Sequence, residues 1–111
     1  MAHERRDGFE HGRHLFNQRH YFDAHEVWED VWREASGERK RLLQGLIQVA
    51  VALHHFTQEN RRGAASLLAR AEPKLENDDG LGFDIGGLQR AVAEWRRFLH
   101  EHGTQPPWPK I

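Results

Sequence analysis

The chain has 111 residues, 30% of them charged and 38% hydrophobic, with a formal net charge of -1. That balance suits one soluble domain with one core, and the lack of a basic excess argues against a nucleic-acid surface. Cysteine is absent, which excludes disulfides, thiolate metal ligands and cysteine nucleophiles.

Four Trp and six Phe supply enough burial to offset chain entropy, so a folded chain is expected. The opening "MAHERRDGFEHGRH" holds no apolar signal core, and "LIQVAVAL" is too short to span a bilayer. The expectation is a cytoplasmic protein with no membrane and no nucleic-acid partner.

Nearly every segment has helical period and almost none alternates as a strand does. Residues 1–7 are expected to fray. A first helix is predicted from Gly8 to Arg19, with Phe9, Gly12, Leu15 and Phe16 on one side. A second is predicted from Asp23 to Ala35, ended by Ser36–Gly37. Here Asp23 reads as the N-cap and Glu26 as the residue that reaches back to it, a variant capping box. Phe22 and Val27 flank the cap as a hydrophobic staple.

At about 100° per residue, Ala24, Val27, Trp28, Val31 and Ala35 form the buried stripe of this second helix, with Trp32 at its edge. Glu26, Asp30 and Arg33 fall on the wet side. His25 and Glu29 lie between, four apart and able to touch.

The third helix, predicted from Glu38 to Gln58, is apolar almost all round and reads as the buried centre of the bundle. One polar line interrupts it: Arg41, Gln44, Gln48 and His55. His54 points nearer the core. Asn60 reads as a left-handed stop. A fourth helix starts near Arg61 with the stripe Ala64, Leu67, Leu68, Ala71 and Leu75, and Pro73 predicts a kink or break just before it. The loop "NDDGLGFDIGG" follows. A fifth helix runs from Gly87 to Glu101 with Leu88, Ala91, Val92, Trp95, Phe98 and Leu99 inward. The fold class is therefore all-α: a single-domain bundle of five helices with a Pro-rich tail. In that tail, "PPWP" at Pro106–Pro109 fits a proline-motif ligand, but Trp108 and Ile111 are expected to pack 103–111 on the bundle.

The stretches "YFDAHEVWEDVWRE", "RLLQGLIQVAVALHHF" and "NRRGAASLLARAEPKL" resemble the family catalogued as domain of unknown function 309. The resemblance runs from Leu15 to Leu75. It is carried by Phe22, His25, Glu26, Trp32, Gln44, Gly45, Gln48 and Ala52, then Asn60, Gly63 and Ala64. It implies a small all-helical fold of bacteria and archaea, and brings no established activity, cofactor or catalytic residues.

The candidate site is a polar pocket between helices two and three, made of His25, Glu29, Trp32, Gln44, Gln48 and His55. A carboxylate beside a His can tune it for proton transfer, but the same groups also suit a hydrogen-bond network that fixes helix register. "HEVWE" lacks the second His of the zinc-protease pattern, so no metal or other cofactor is expected. His25, Glu29 and His55 are a weak set for a divalent ion. The reading is a scaffold binding an unknown small molecule or protein. The rivals are an interaction or homo-oligomerisation module and an enzyme using His25 and Glu29.

Overall fold

The computed structural model describes residues 2–76 and 81–111, and the side chains of residues 8–76 and 81–111. Five α-helices follow in order: α1 Ala2–Asn17, α2 Tyr21–Glu34, α3 Gly37–Thr57, α4 Arg61–Ala71 and α5 Ile85–Glu101. A 3-10 turn, Glu72–Lys74, extends α4. No strand occurs among the described residues, so the all-α expectation stands. Residues 77–80 of the expected glycine-rich loop lie outside those described.

Each helix packs chiefly on its neighbours in sequence: α1 on α2, α2 on α3, α3 on α4 and α4 on α5. α3 is the centre, as its apolar circumference predicts. Leu42, Leu43, Leu46, Val49, Ala50, Ala52 and Leu53 are all buried. Each Leu of that set contributes about 1.5–3 kcal/mol of transfer free energy. The described core holds no buried polar or charged residue. No described helix is long and apolar enough to cross a membrane.

The α1–α2 and α3–α4 connections are built alike. His20 N donates to Leu15 O and Arg19 N to Phe16 O, with Arg19 at φ 66°. Forty residues on, Asn60 N donates to His55 O and Glu59 N to Phe56 O, with Glu59 at φ 62°. In both, two backbone bonds satisfy the last helical carbonyls around one left-handed residue. The residue after it then caps the next helix. The left-handed residue is thus Glu59 and not Asn60. Asn60 has φ -103° and is the N-cap of α4, its Oδ1 accepting from Gly63 N at 2.9 Å. The forty-residue spacing extends to the buried pairs Phe9/Val49, Gly12/Ala52, Ala24/Ala64, Trp28/Leu68 and Val31/Ala71.

The starts of three helices differ from the sequence reading by two residues or more. α1 begins at Ala2 and not Gly8, because its first turns carry polar helix formers that leave no apolar period to read. α5 begins at Ile85 and not Gly87, because Asp84 caps it, accepting from Gly87 N at 3.0 Å. α2 begins at Tyr21, with consequences for the site below. At Pro73 the ladder ends as expected: α4 stops at Ala71 and the chain tightens into the 3-10 turn.

Past α5, the Trp108 ring lies 5.1 Å from that of Trp95 and 5.9 Å from those of Tyr21 and Phe56. Pro109 is buried.

Candidate functional site

The start of α2 overturns the capping assignment. His20 is the N-cap, with no side-chain cap bond, and its carbonyl accepts from Ala24 N at 2.9 Å. Asp23 therefore sits in the first turn as a charge that suits the positive helix end, and Glu26 is exposed one turn further. Neither caps. The reason is the left-handed Arg19: it closes α1 early enough for Tyr21 to enter α2, and Tyr21 is buried against Phe16. Burial of that ring outweighs the local cap preference of Asp23. Phe22, no longer before the helix, is helical and turned outward.

His25 and Glu29 meet as their spacing requires. His25 Nε2 lies 3.5 Å from Glu29 Oε1, and His25 Nδ1 donates to Phe22 O at 2.7 Å. Glu29 is also within 4.0 Å of Arg33. The imidazole is thus oriented on both sides by its own helix.

The α3 half of the expected pocket does not join them. Gln48 Oε1 accepts from Lys74 Nζ at 2.9 Å, on the side of the 3-10 turn. Arg41, in the same line, donates to Pro73 O at 2.8 Å. His55 Nδ1 lies 3.4 Å from the Asn60 amide at the α3–α4 connection. Gln44 is exposed. The cause is visible at Gly45: a Cβ there would fall 2.9 Å from Lys74 Cβ and 3.0 Å from Leu75 Cδ2. This glycine lets the 3-10 turn press onto α3, and the polar line follows it to that side. The same crowding, with the Arg41 and Arg70 charges, holds the Lys74 amine below the ordinary lysine value, burial being the larger cause.

What α3 does bring to α2 is a different stripe. Because the two helices run antiparallel, His54 meets the start of α2 and Lys40 its end. The Phe22 ring is 4.9 Å from that of His25 and 5.2 Å from that of His54. Phe22 is 49% exposed, a large apolar side chain left in water. Ten residues on, Lys40 Nζ stands 4.3 Å over the Trp32 ring, whose Nε1 is enclosed with no hydrogen-bond partner. Between the ends, Ile47 and Val51 are half-buried on the same stripe of α3. The sequence reading placed His25, Glu29 and Trp32 correctly at this edge but missed Phe22, Lys40 and His54. The spacing 40, 47, 51, 54 was the available signal; choosing the polar line instead of this mixed one led to the wrong side of α3.

Among the described residues no three His, Cys, Asp or Glu converge as a metal-ligand set. Among the described residues, a surface cleft beside α5 has Ala65 and His100 in its lining and another has Phe98 and Pro106; neither of these includes His25 or Gln48.

Comparison with known proteins places the sequence in a family. The chain is 40% identical over 75 residues to the uncharacterized protein YpuF of Bacillus subtilis (strain 168), a match covering 63% of this chain and 43% of that protein. It is 30% identical over 84 residues to an uncharacterized protein of Aquifex aeolicus (strain VF5), covering 73% of this chain and 25% of that one. The chain thus spans less than half the length of either relative. No solved structure matches it. The family model for the domain of unknown function (DUF309) matches residues 9–67, from α1 through Leu67 of α4, and over half of the chain; the chain belongs to that family.

Proposed function

We propose that this protein is an interaction module that self-associates through the outer α2–α3 edge. The observation that carries this reading is Phe22, half exposed and flanked by two imidazoles on a helix whose other face is packed. A ring left in water at the centre of a polar rim is the usual mark of a contact surface.

A second copy is the partner that the charges favour. Phe22 is accompanied by the exposed acids Asp23 and Glu26, whereas Trp32, about 15 Å along the helix, carries Lys40 over its ring, the neighbouring Arg33 being already paired with Asp30 and Glu29. A two-fold axis across α2 lays Phe22 and the acids Asp23 and Glu26 of one copy on Trp32 and Lys40 of the other, a self-complementary arrangement. In this reading His25 is a contact residue held in place by Glu29 and the Phe22 carbonyl.

Sedimentation equilibrium of the intact chain and of Phe22→Glu decides it. The intact chain is expected to dimerise at micromolar to millimolar concentration, and Phe22→Glu to remain a monomer with unchanged helical signal. An intact chain that is monomeric at millimolar concentration sinks the reading.

A further inference from the structure

The segment after α5 is held largely through its main chain. Asn17 reads both backbone groups of one residue: its Oδ1 accepts from Ile111 N at 2.8 Å and its Nδ2 donates to Ile111 O at 3.1 Å. Arg13 Nε donates to the same carbonyl at 2.8 Å. Further back, Trp95 Nε1 donates to Pro107 O at 3.0 Å. These bonds all address the main chain of the segment. Of its side chains, Trp108 is seated among Tyr21, Phe56 and Trp95 with the Arg19 guanidinium 5.8 Å from its ring centroid, Pro109 is buried and Ile111 packs against the core. Main-chain bonds plus one aromatic socket are how extended peptides are recognised, and proline stiffens such a peptide and lowers the entropy lost on binding.

The junction suits release. His102 closes α5 in the left-handed conformation, with φ 57°. Gly103 follows with open space around it, and residues 103–105 are exposed. The segment can therefore swing about this junction, giving up its contacts with Trp95 of α5 as it leaves.

We infer that α1, the start of α2, the end of α3 and α5 together form a peptide-reading site for an extended Pro-Trp-Pro segment, filled in cis by residues 106–111 and able to take the same segment from a second copy. This site is separate from the α2–α3 edge, and its occupant exchanges without any new contact chemistry, as in segment swapping. A cis segment on a short flexible link competes at an effective concentration of about a millimolar, so the intact chain masks the site.

The test uses the full chain carrying Trp108→Ala and a fluorescent peptide of residues 105–111, read by anisotropy. The variant is expected to bind this peptide at least roughly tenfold tighter than the intact chain does, because the cis competitor is weakened. The same peptide with its Trp replaced by Ala is expected not to bind. Adding Asn17→Ala is expected to weaken binding by roughly tenfold, the loss of two neutral hydrogen bonds. A folded Trp108→Ala chain that leaves the peptide free at millimolar concentration overturns the proposal, as does binding indifferent to both the peptide Trp and Asn17. If Trp108→Ala loses its helical signal, the titration is read on Trp108→Leu. Loss of fold in both makes the segment part of the core and overturns the proposal as well.

Discussion

Trp28 and Trp32 stand one turn apart on α2 and differ in almost everything but sequence distance. Trp28 is fully buried, its ring 6.0 Å from Phe9 and 5.6 Å from Phe16, and its Nε1 donates to Phe9 O at 3.1 Å. Trp32 is half-buried, one face covered by Lys40, and its Nε1 has no partner. The inner side of α2 has been completed by the fold. The outer side, where the proposed contact lies, leaves that N–H unpaired.

Gly12 explains how the inner side was completed. A Cβ at that position would overlap the Trp28 indole, so only glycine lets the ring lie on the backbone of α1 and reach the Phe9 carbonyl. The largest effect follows: Trp28→Ala is expected to cost about 3–5 kcal/mol, measured by urea unfolding. Gly12→Ala, which removes no atom, is expected to cost roughly 1–3 kcal/mol through overpacking alone. A Gly12→Ala chain as stable as the parent would break the account of the inner side.

A smaller effect separates burial from satisfaction. Tyr21 is as buried as Trp28, yet its hydroxyl, like the Trp32 N–H, has no partner. Burial pushes that hydroxyl well above the ordinary tyrosine value near 10, the charge of Arg19 only partly opposing it. The unfolded chain therefore gives up this proton as pH rises through about 10, while the folded chain keeps it. The folded state then binds more protons, and stability falls with rising pH. Below that pH the contribution is fully present. Tyr21→Phe is expected to be neutral or stabilising by up to about 1 kcal/mol at pH 7, since it deletes an unpaired buried group. It is also expected to flatten the alkaline loss. Urea midpoints at neutral and alkaline pH read both; an unchanged alkaline slope in Tyr21→Phe would falsify the link to this residue.

The contrast also shows what could be read in advance. Apolar period placed Trp28, Ala24 and Val31 inward and Trp32 at the edge, because helix phase is a local property of the chain. The start of α2 was illegible, because the left-handed turn is made by Arg19, a residue with no turn preference to give it away. The partner of His25 was illegible for a longer-range reason. Which polar residue of α3 faces α2 depends on where the 3-10 turn docks, and that is decided by the missing side chain of Gly45. The forty-residue correspondence between the two hairpins was hidden because it is kept in burial and turn geometry, whereas the residues themselves change, Trp28 against Leu68 and Tyr21 against Arg61.

The sharpest comparison replaces each indole by the same smaller ring. Trp28→Phe removes a made hydrogen bond and leaves a void between α1 and α2, so it is expected to cost about 1–3 kcal/mol. Trp32→Phe removes an unpaired donor, which favours the folded chain, and trims a ring under Lys40, which disfavours it by about 0.5–1 kcal/mol. The two terms oppose, and the net change in unfolding free energy is expected within about 1 kcal/mol of zero. Its effect should instead appear between chains: the half-buried Trp32 ring lies on the proposed contact, so Trp32→Phe trims contact area and weakens self-association while leaving the monomer intact. Equal unfolding costs for the two variants would erase the distinction between a finished and an unfinished face. A Trp32→Phe chain that dimerises as tightly as the parent would leave the face unfinished but assign its indole no part in the contact, and the weight would fall on Phe22 alone.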